Sequence, residues 1–460
     1  MTSQNILKLA LKEMFQVNTP FNVKNVPNKM KSRFAGQPDH LSICFWMWAL
    51  FNSISDEDYP AYADRVLREI RDRGFNCVRM DDGAGLICDI NGKPRGPINW
   101  HLQAGPYQVG RQSPGVGSGL IPNRLLIFCK AAQKYGIKLI LSSWYYLHTN
   151  WQLDETINAE LFEEIPTMAD KIRYFTEEHN RILQLLRENN LLEVVAFVEL
   201  CNEFEILKFV FTNTFGVTPE EAAEWRPLLE IAYECMKKAN PELLFAYDTP
   251  NPGPCRELIP RNVDILNFHY YYMQGPLYRM LDIMLKPVQH DVDYPPEISR
   301  FLKKDRLHYE DVVRERSRFT KIRSGYDWIQ RIMLFNSLDP DKIPELEKIL
   351  SDQFDENQGN FIANLKRSLA GVTEIRDEVL PGAPLVMGEG VSCCTSDKIL
   401  FEERSEKFWN FLEWQALFLR ESGLWGTVVR TGSSPVDISW NMCAESFRKA
   451  NELFLNGKEL

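Results

Sequence analysis

The chain has 460 residues, 44% hydrophobic and 25% charged, and its 53 Lys+Arg against 63 Asp+Glu leave a net charge of −10. That balance describes a globular protein with ample core and excludes disordered, collagen-like and coiled-coil classes. It also argues against a nucleic-acid or anionic-membrane surface, which needs clustered Lys and Arg.

Ten cysteines are too sparse for a disulfide scaffold. Cys44, Cys77, Cys129 and Cys201 lie in apolar runs, so buried free thiols in a reducing compartment are expected. Cys393-Cys394 has no zinc-ligand spacing. The stretch from Met1 to Phe15 is broken by Lys8, Lys12 and Glu13 and does not read as a signal peptide. No apolar stretch reaches the ~18 residues of a membrane span, and cytoplasmic residence is expected.

Short apolar runs alternate with helical patterns, the signature of βα units around a parallel sheet. The first run is Leu41 to Met47; Tyr59, Tyr62, Val66 and Ile70 then recur at helical spacing, with Gly74 as a stop. Phe75 to Met80 is a second strand, followed by a Gly/Pro-rich loop from Asp81 to Pro122 and a helix ending at Gly136. Ile137 to Ser142 is the third strand, and a helix from Thr167 to Asn190 buries Ile172, Phe175, His179, Ile182 and Leu186. Val194 to Leu200 is the fourth. Thr218-Pro219-Glu220-Glu221 then opens a helix with an N-cap and a Glu three residues on. Leu243 to Tyr247, Val263 to Phe268, Pro384 to Met387 and Leu424 to Val429 complete eight strands, and a helix from Met442 to Leu455 follows.

This order favours a (β/α)8 TIM barrel, with a doubly wound sheet as the alternative. Strands six and seven stand far apart, from residue 268 to residue 384. The interval reads as helical over Tyr278–Leu285, Glu297–Lys304, Tyr309–Lys321, Trp328–Leu334 and Phe361–Leu380. Residues 1–460 are therefore expected to form one catalytic barrel, its strands within about 41–430, with 272–380 as a helical insertion at the strands' C-terminal face.

Asn202-Glu203 follows the fourth strand, and Glu389 follows the seventh within Met387-Gly388-Glu389-Gly390. Two carboxylates at the C-terminal ends of barrel strands can face each other across the mouth. A retaining glycosidase needs that layout, with nucleophile and acid/base roughly 5–5.5 Å apart. Taken singly, each could be a solvated loop carboxylate. Trp46 and Trp48 end the first strand and Trp144-Tyr145-Tyr146 ends the third. Flat rings suit the apolar faces of sugars, and equally suit core packing.

These segments bring a resemblance. Glu199-Leu200-Cys201-Asn202-Glu203 resembles the E-x-x-N-E motif of the cellulase-like (β/α)8 retaining glycosidases of clan A, endoglucanase- and mannanase-like. Gly74 to Arg79 resembles their G-F-N-x-V-R segment, Phe268-His269-Tyr270-Tyr271 their His-x-Tyr, and Gly388-Glu389-Gly390 the surroundings of their nucleophile. The resemblance spans roughly residues 40 to 430 and implies Glu203 as acid/base and Glu389 as nucleophile. It makes Arg79 a donor to the nucleophile, with a structural ion pair to Glu199 or an aspartate as the alternative. Asn202 is implied as a substrate donor, Tyr271 or Tyr270 as a donor to Glu389, and His269 as a holder of substrate or acid/base.

There are departures. Phe204 replaces the proline that often follows N-E, Trp144 stands where many relatives carry a histidine, and Arg430 lies near the usual sugar-platform tryptophan. Trp46, Trp48, Trp144 and Arg430 are retained as candidate substrate contacts. The expected function is hydrolysis of short β-linked glycosides with carbohydrate as the partner, no cofactor and no metal. A non-hydrolytic sugar-binding barrel is the rival, and a barrel isomerase or lyase a third reading. Gly115-Val116-Gly117-Ser118-Gly119 follows no expected strand and reads as a flexible loop.

Overall fold

The computed structural model describes residues 30–102, 115–145, 155–206, 208, 216–250, 256–272, 296–306, 308–316, 334–392 and 398–457. Met1–Phe15, Tyr146, Cys393, Cys394, the helix expected at Tyr278–Leu285 and all of Trp328–Leu334 except Leu334 lie outside them. The strands are β1 (Leu41–Phe45), β2 (Cys77–Asp81), β3 (Ile98–Leu102), β4 (Gly115–Gly119) and β5 (Lys138–Ser142). There follow β6 (Val195–Glu199), β7 (Phe245–Thr249), β8 (Ile265–Tyr270), β9 (Leu385–Gly390) and β10 (Gly426–Val428). Eight close a barrel in the order β1-β10-β9-β8-β7-β6-β5-β2, all neighbours parallel. Their apolar runs are continuous because each strand is covered inside and out.

The helices on the outside include α1 (Tyr59–Asp72), α2 (Ile121–Tyr135), α3 (Met168–Glu188) and α4 (Pro219–Ala239). Gly136 caps α2 in the left-handed conformation, and Thr218 and Glu221 form the capping box of α4. The chain is a TIM barrel, as its strand order predicts.

Two local expectations change. The loop from Asp81 to Pro122 contains an antiparallel pair, β3 with β4, in which Trp100 lies opposite Gly117. Gly115–Gly119 is therefore a strand. It was hidden because alternate glycines leave no side-chain period to detect. Strand ends also run further than the apolar runs do. His269 pairs with Glu389 and Tyr270 with Gly390 at the end of the β8–β9 ladder, so these residues sit on strands and not on the loops beyond.

Between β8 and β9 the described elements include short helices at Pro296–Ser299, Tyr309–Arg316 and Pro340–Lys342, and α5 (Ile343–Val379), 37 residues long. Phe361–Leu380 is thus largely the second half of the helix that returns the chain to β9. After β9 come α6 (Phe401–Arg404), α7 (Glu406–Glu421) and α8 (Ala444–Asn456). Among the described cysteines Cys44, Cys77, Cys88, Cys129, Cys201 and Cys443 are buried free thiols and Cys235 is exposed. No helix among the described residues is long and apolar enough to cross a membrane.

Candidate active site

The site grows from one buried cation. Arg79, on β2, has no solvent exposure, and a guanidinium there is tolerable only when surrounded by acceptors. Its Nε and Nη2 donate to Glu199 Oε2 at 3.1 and 2.7 Å, and Nη2 also reaches Asn202 Oδ1 at 2.7 Å. Nη1 donates to Glu389 Oε1 at 2.9 Å, and Asp248 Oδ2 stands 3.2 Å from Nη2. Arg79 therefore serves both the structural pair with Glu199 and the contact with Glu389 that the sequence posed as alternatives.

Backbone packing fixes Glu389. A Cβ on Gly388 would lie 2.3 Å from the Asn267 amide, which donates to Glu199. A Cβ on Gly390, at φ 152°, would lie 2.0 Å from the Tyr270 carbonyl. Only glycine fits on either side of Glu389, so the Gly-Glu-Gly run is a steric requirement of the β8–β9 contact.

The Tyr271 hydroxyl donates to Glu389 Oε2 at 2.6 Å, and His269 Nδ1 lies 3.7 Å from the same oxygen. Glu203 stands opposite, its Oε1 at 2.8 Å from His269 Nδ1. Its backbone is in the left-handed region, at φ 46°, and its N–H donates to Asp248 Oδ2 at 2.8 Å. Asp248 Oδ1 faces His269 Nε2 at 3.0 Å. One oxygen from each of Glu203 and Glu389 and a nitrogen of His269 lie within 4.8 Å of one another. Donor sets of this kind can hold a metal, but here both ring nitrogens already face carboxylates, and hydrogen bonding accounts for the grouping.

Burial pushes the Glu389 carboxyl above its usual range and proximity to Glu203 adds to this, while His269, Arg79 and Tyr271 oppose it. For His269, burial alone would lower the imidazole, but Asp248 and then Glu389 outweigh it and hold the ring charged well above its ordinary range. Asp248 would be raised by burial; His269 and Arg79 overcome that and lower it. The result is alternating charge, acceptor beside donor, in a space largely closed to water.

Of the sequence candidates, Arg79, Asn202, Glu203, His269, Tyr271 and Glu389 meet here. Trp144 is buried beside them, its ring 5.0 Å from the Arg79 guanidinium carbon, and its backbone N–H donates to Asp81 Oδ2. Trp48 packs against Phe51. Trp46 does not join the cluster: it is fully buried against Phe128 and Tyr62 on the helix side of β1. Arg430 does not join it either, because its guanidinium is bound to Glu402 and Glu403. Asp248 and Asn267 escaped the sequence reading. The signal for Asp248 was an acid at a strand end, the feature that marked Glu389.

A family model described as cellulase-like, sugar-binding cellulase-like, matches residues 43–283. No curated protein matches the chain in sequence. Among solved structures, a protein designated a glycoside hydrolase from Parabacteroides distasonis is 17% identical, with TM-score 0.60, over 90% of this chain and 93% of that one. The endo-β-1,4-mannanase of Thermotoga petrophila gives 13% identity and TM-score 0.44 over 92% and 78%. Thermotoga maritima Cel5A, solved with mannotriose, gives 12% and 0.39 over 84% and 89%.

Proposed function

Because the chain belongs to the sugar-binding cellulase-like family, we propose that it is a retaining β-glycosidase acting on short β-linked oligosaccharides or glycosides. The observation that carries this reading is the approach of one carboxylate oxygen of Glu203 to one of Glu389, within 4.8 Å. Retaining enzymes keep their carboxyls roughly 5–5.5 Å apart, whereas inverting ones leave about 6.5–9.5 Å for a water. Glu389, held by Arg79 and Tyr271, attacks the anomeric carbon as its nucleophile. Glu203 gives its proton to the departing glycosidic oxygen, then takes one from the water that releases the glycosyl-enzyme. Asn202, its side-chain oxygen held by Arg79, stands between Glu203 and the nucleophile's arginine, the place of a contact to the sugar hydroxyl beside the anomeric carbon.

Short substrates are favoured by the long connection from β8 to β9. It leaves the barrel at the C-terminal ends of the strands, beside the nucleophile, and is suited to wall one side of a cleft. The test is a panel of aryl β-glycosides, followed by mass spectrometry with a 2-fluoro glycosyl fluoride. Glu203→Gln and Glu389→Gln should each lower hydrolysis by about 10³-fold or more, and only Glu389→Gln should fail to gain the mass of a covalent glycosyl group. Measurable oligosaccharide binding without turnover of any glycoside would favour the non-hydrolytic sugar-binding reading. That rival draws on the altered ends of the third and eighth barrel strands, where Trp144 replaces a histidine and Arg430 lies near the usual platform tryptophan.

A further inference from the structure

Asp248 has no part in the two displacements, yet it touches the Glu203 backbone, His269 and Arg79. It is buried at the end of β7, and both its oxygens are committed. Oδ2 accepts the Glu203 N–H at 2.8 Å and faces Arg79 at 3.2 Å; Oδ1 faces His269 Nε2 at 3.0 Å. The first contact pins a backbone that glutamate rarely adopts, since φ 46° is a strained setting that persists only when its surroundings impose it. The second places a proton on Nε2, because a carboxylate can only accept. Nδ1 then faces Glu203 Oε1 at 2.8 Å with one proton between them, on the carboxyl or on the ring.

We infer that Asp248 is a positioning residue for the acid/base, seating the Glu203 backbone and anchoring His269 so that the Glu203–His269 pair retains the proton the leaving group needs. The inference rests on the glycosidase reading above. In the first displacement that proton leaves the pair for the glycosidic oxygen as the C–O bond breaks and Glu389 bonds to the anomeric carbon. In the second, water bonds to that carbon as the Glu389 ester breaks, and its proton refills the pair. The groups facing His269 are Asp248, Glu203 and Glu389, with Arg79 behind Asp248, the Tyr271 hydroxyl on Glu389, and Glu205 buried beside Asp248.

The experiment compares the full chain with Asp248→Asn, which keeps a carbonyl oxygen and loses the charge. NMR titration of the His269 imidazole should move to lower pH by more than one unit. The basic limb of kcat/KM should follow in the same direction. Loss should be about 100-fold on glycosides with poor leaving groups and only a few-fold on dinitrophenyl glycosides, whose departure needs no acid. Asp248→Glu, which restores the charge, should restore the titration, and it carries the test if Asp248→Asn fails to fold. An unmoved titration and basic limb in a folded variant would overturn the assignment. If the wild type hydrolyses no glycoside, the glycosidase reading fails, and the His269 titration still decides whether Asp248 holds the proton.

Discussion

Glu205, two residues beyond Glu203, is buried with its Oε1 accepting from the hydroxyls of Tyr247 and Thr249 at 3.2 and 3.1 Å. Burial pushes its carboxyl up to about 7, against 4.5 for an ordinary glutamate. Between those values the folded chain keeps a proton that the unfolded chain has lost. Stability therefore falls as pH rises through this window, and the loss is complete above it. Glu205→Gln removes this dependence and should gain on wild type by on the order of 3 kcal/mol between pH 4 and pH 8. Urea midpoints at both values measure it, and a difference independent of pH would contradict it. Most of the site was legible at this scale because Glu203, His269 and Glu389 sit in short motifs at strand ends. Trp46 was misjudged by one position: Phe45 faces Trp144 and Arg79, so the next residue points the other way, towards the helices. Asp248 was passed over because the apolar run stops at Tyr247 while β7 continues to Thr249.

Elements explain Arg430. It lies two residues beyond β10 and binds both acidic residues of α6, Glu402 and Glu403, while the Tyr272 hydroxyl and Ser392 also donate to Glu402. Three segments leaving the C-terminal ends of β8, β9 and β10 are thus tied together by one buried cation between two carboxylates. Arg430→Met would leave both acids buried without it and should destabilise the fold by about 3–5 kcal/mol. If Arg430 only ties elements, KM for an aryl glycoside should stay within about two-fold at a temperature where the variant is folded. Denaturant unfolding and steady-state kinetics test the two halves; a large rise in KM with unchanged stability would return Arg430 to the substrate. No pattern in the sequence pairs residue 430 with residues 402 and 403, since neither helix periodicity nor strand alternation reports contacts between a segment beyond a strand and a separate short helix. The β3–β4 hairpin was equally invisible, its glycines giving no alternation to read.

At the scale of the molecule, the eightfold alternation of strands and helices was readable, whereas closure was not, because periodicity alone does not separate an open sheet from a ring. Closure rests on β1 pairing with β10, Leu41 with Gly426 through Ile43 with Val428. A chain ending before Gly426 should lack this seam and leave two strand edges unpaired. Such a truncation should be recovered insoluble or protease-sensitive throughout; a soluble, protease-resistant product would show that seven strands suffice. The seam also sets a timetable for synthesis. At about 5–20 residues per second, β10 emerges on the order of half a minute after β2. For most of that interval Arg79 exists without Glu389, and for about half of it without Asp248. The charges most dependent on exclusion of water are therefore assembled from partners that arrive far apart in time, and the nascent chain must keep them wet, or shielded by another protein, until the ring is complete.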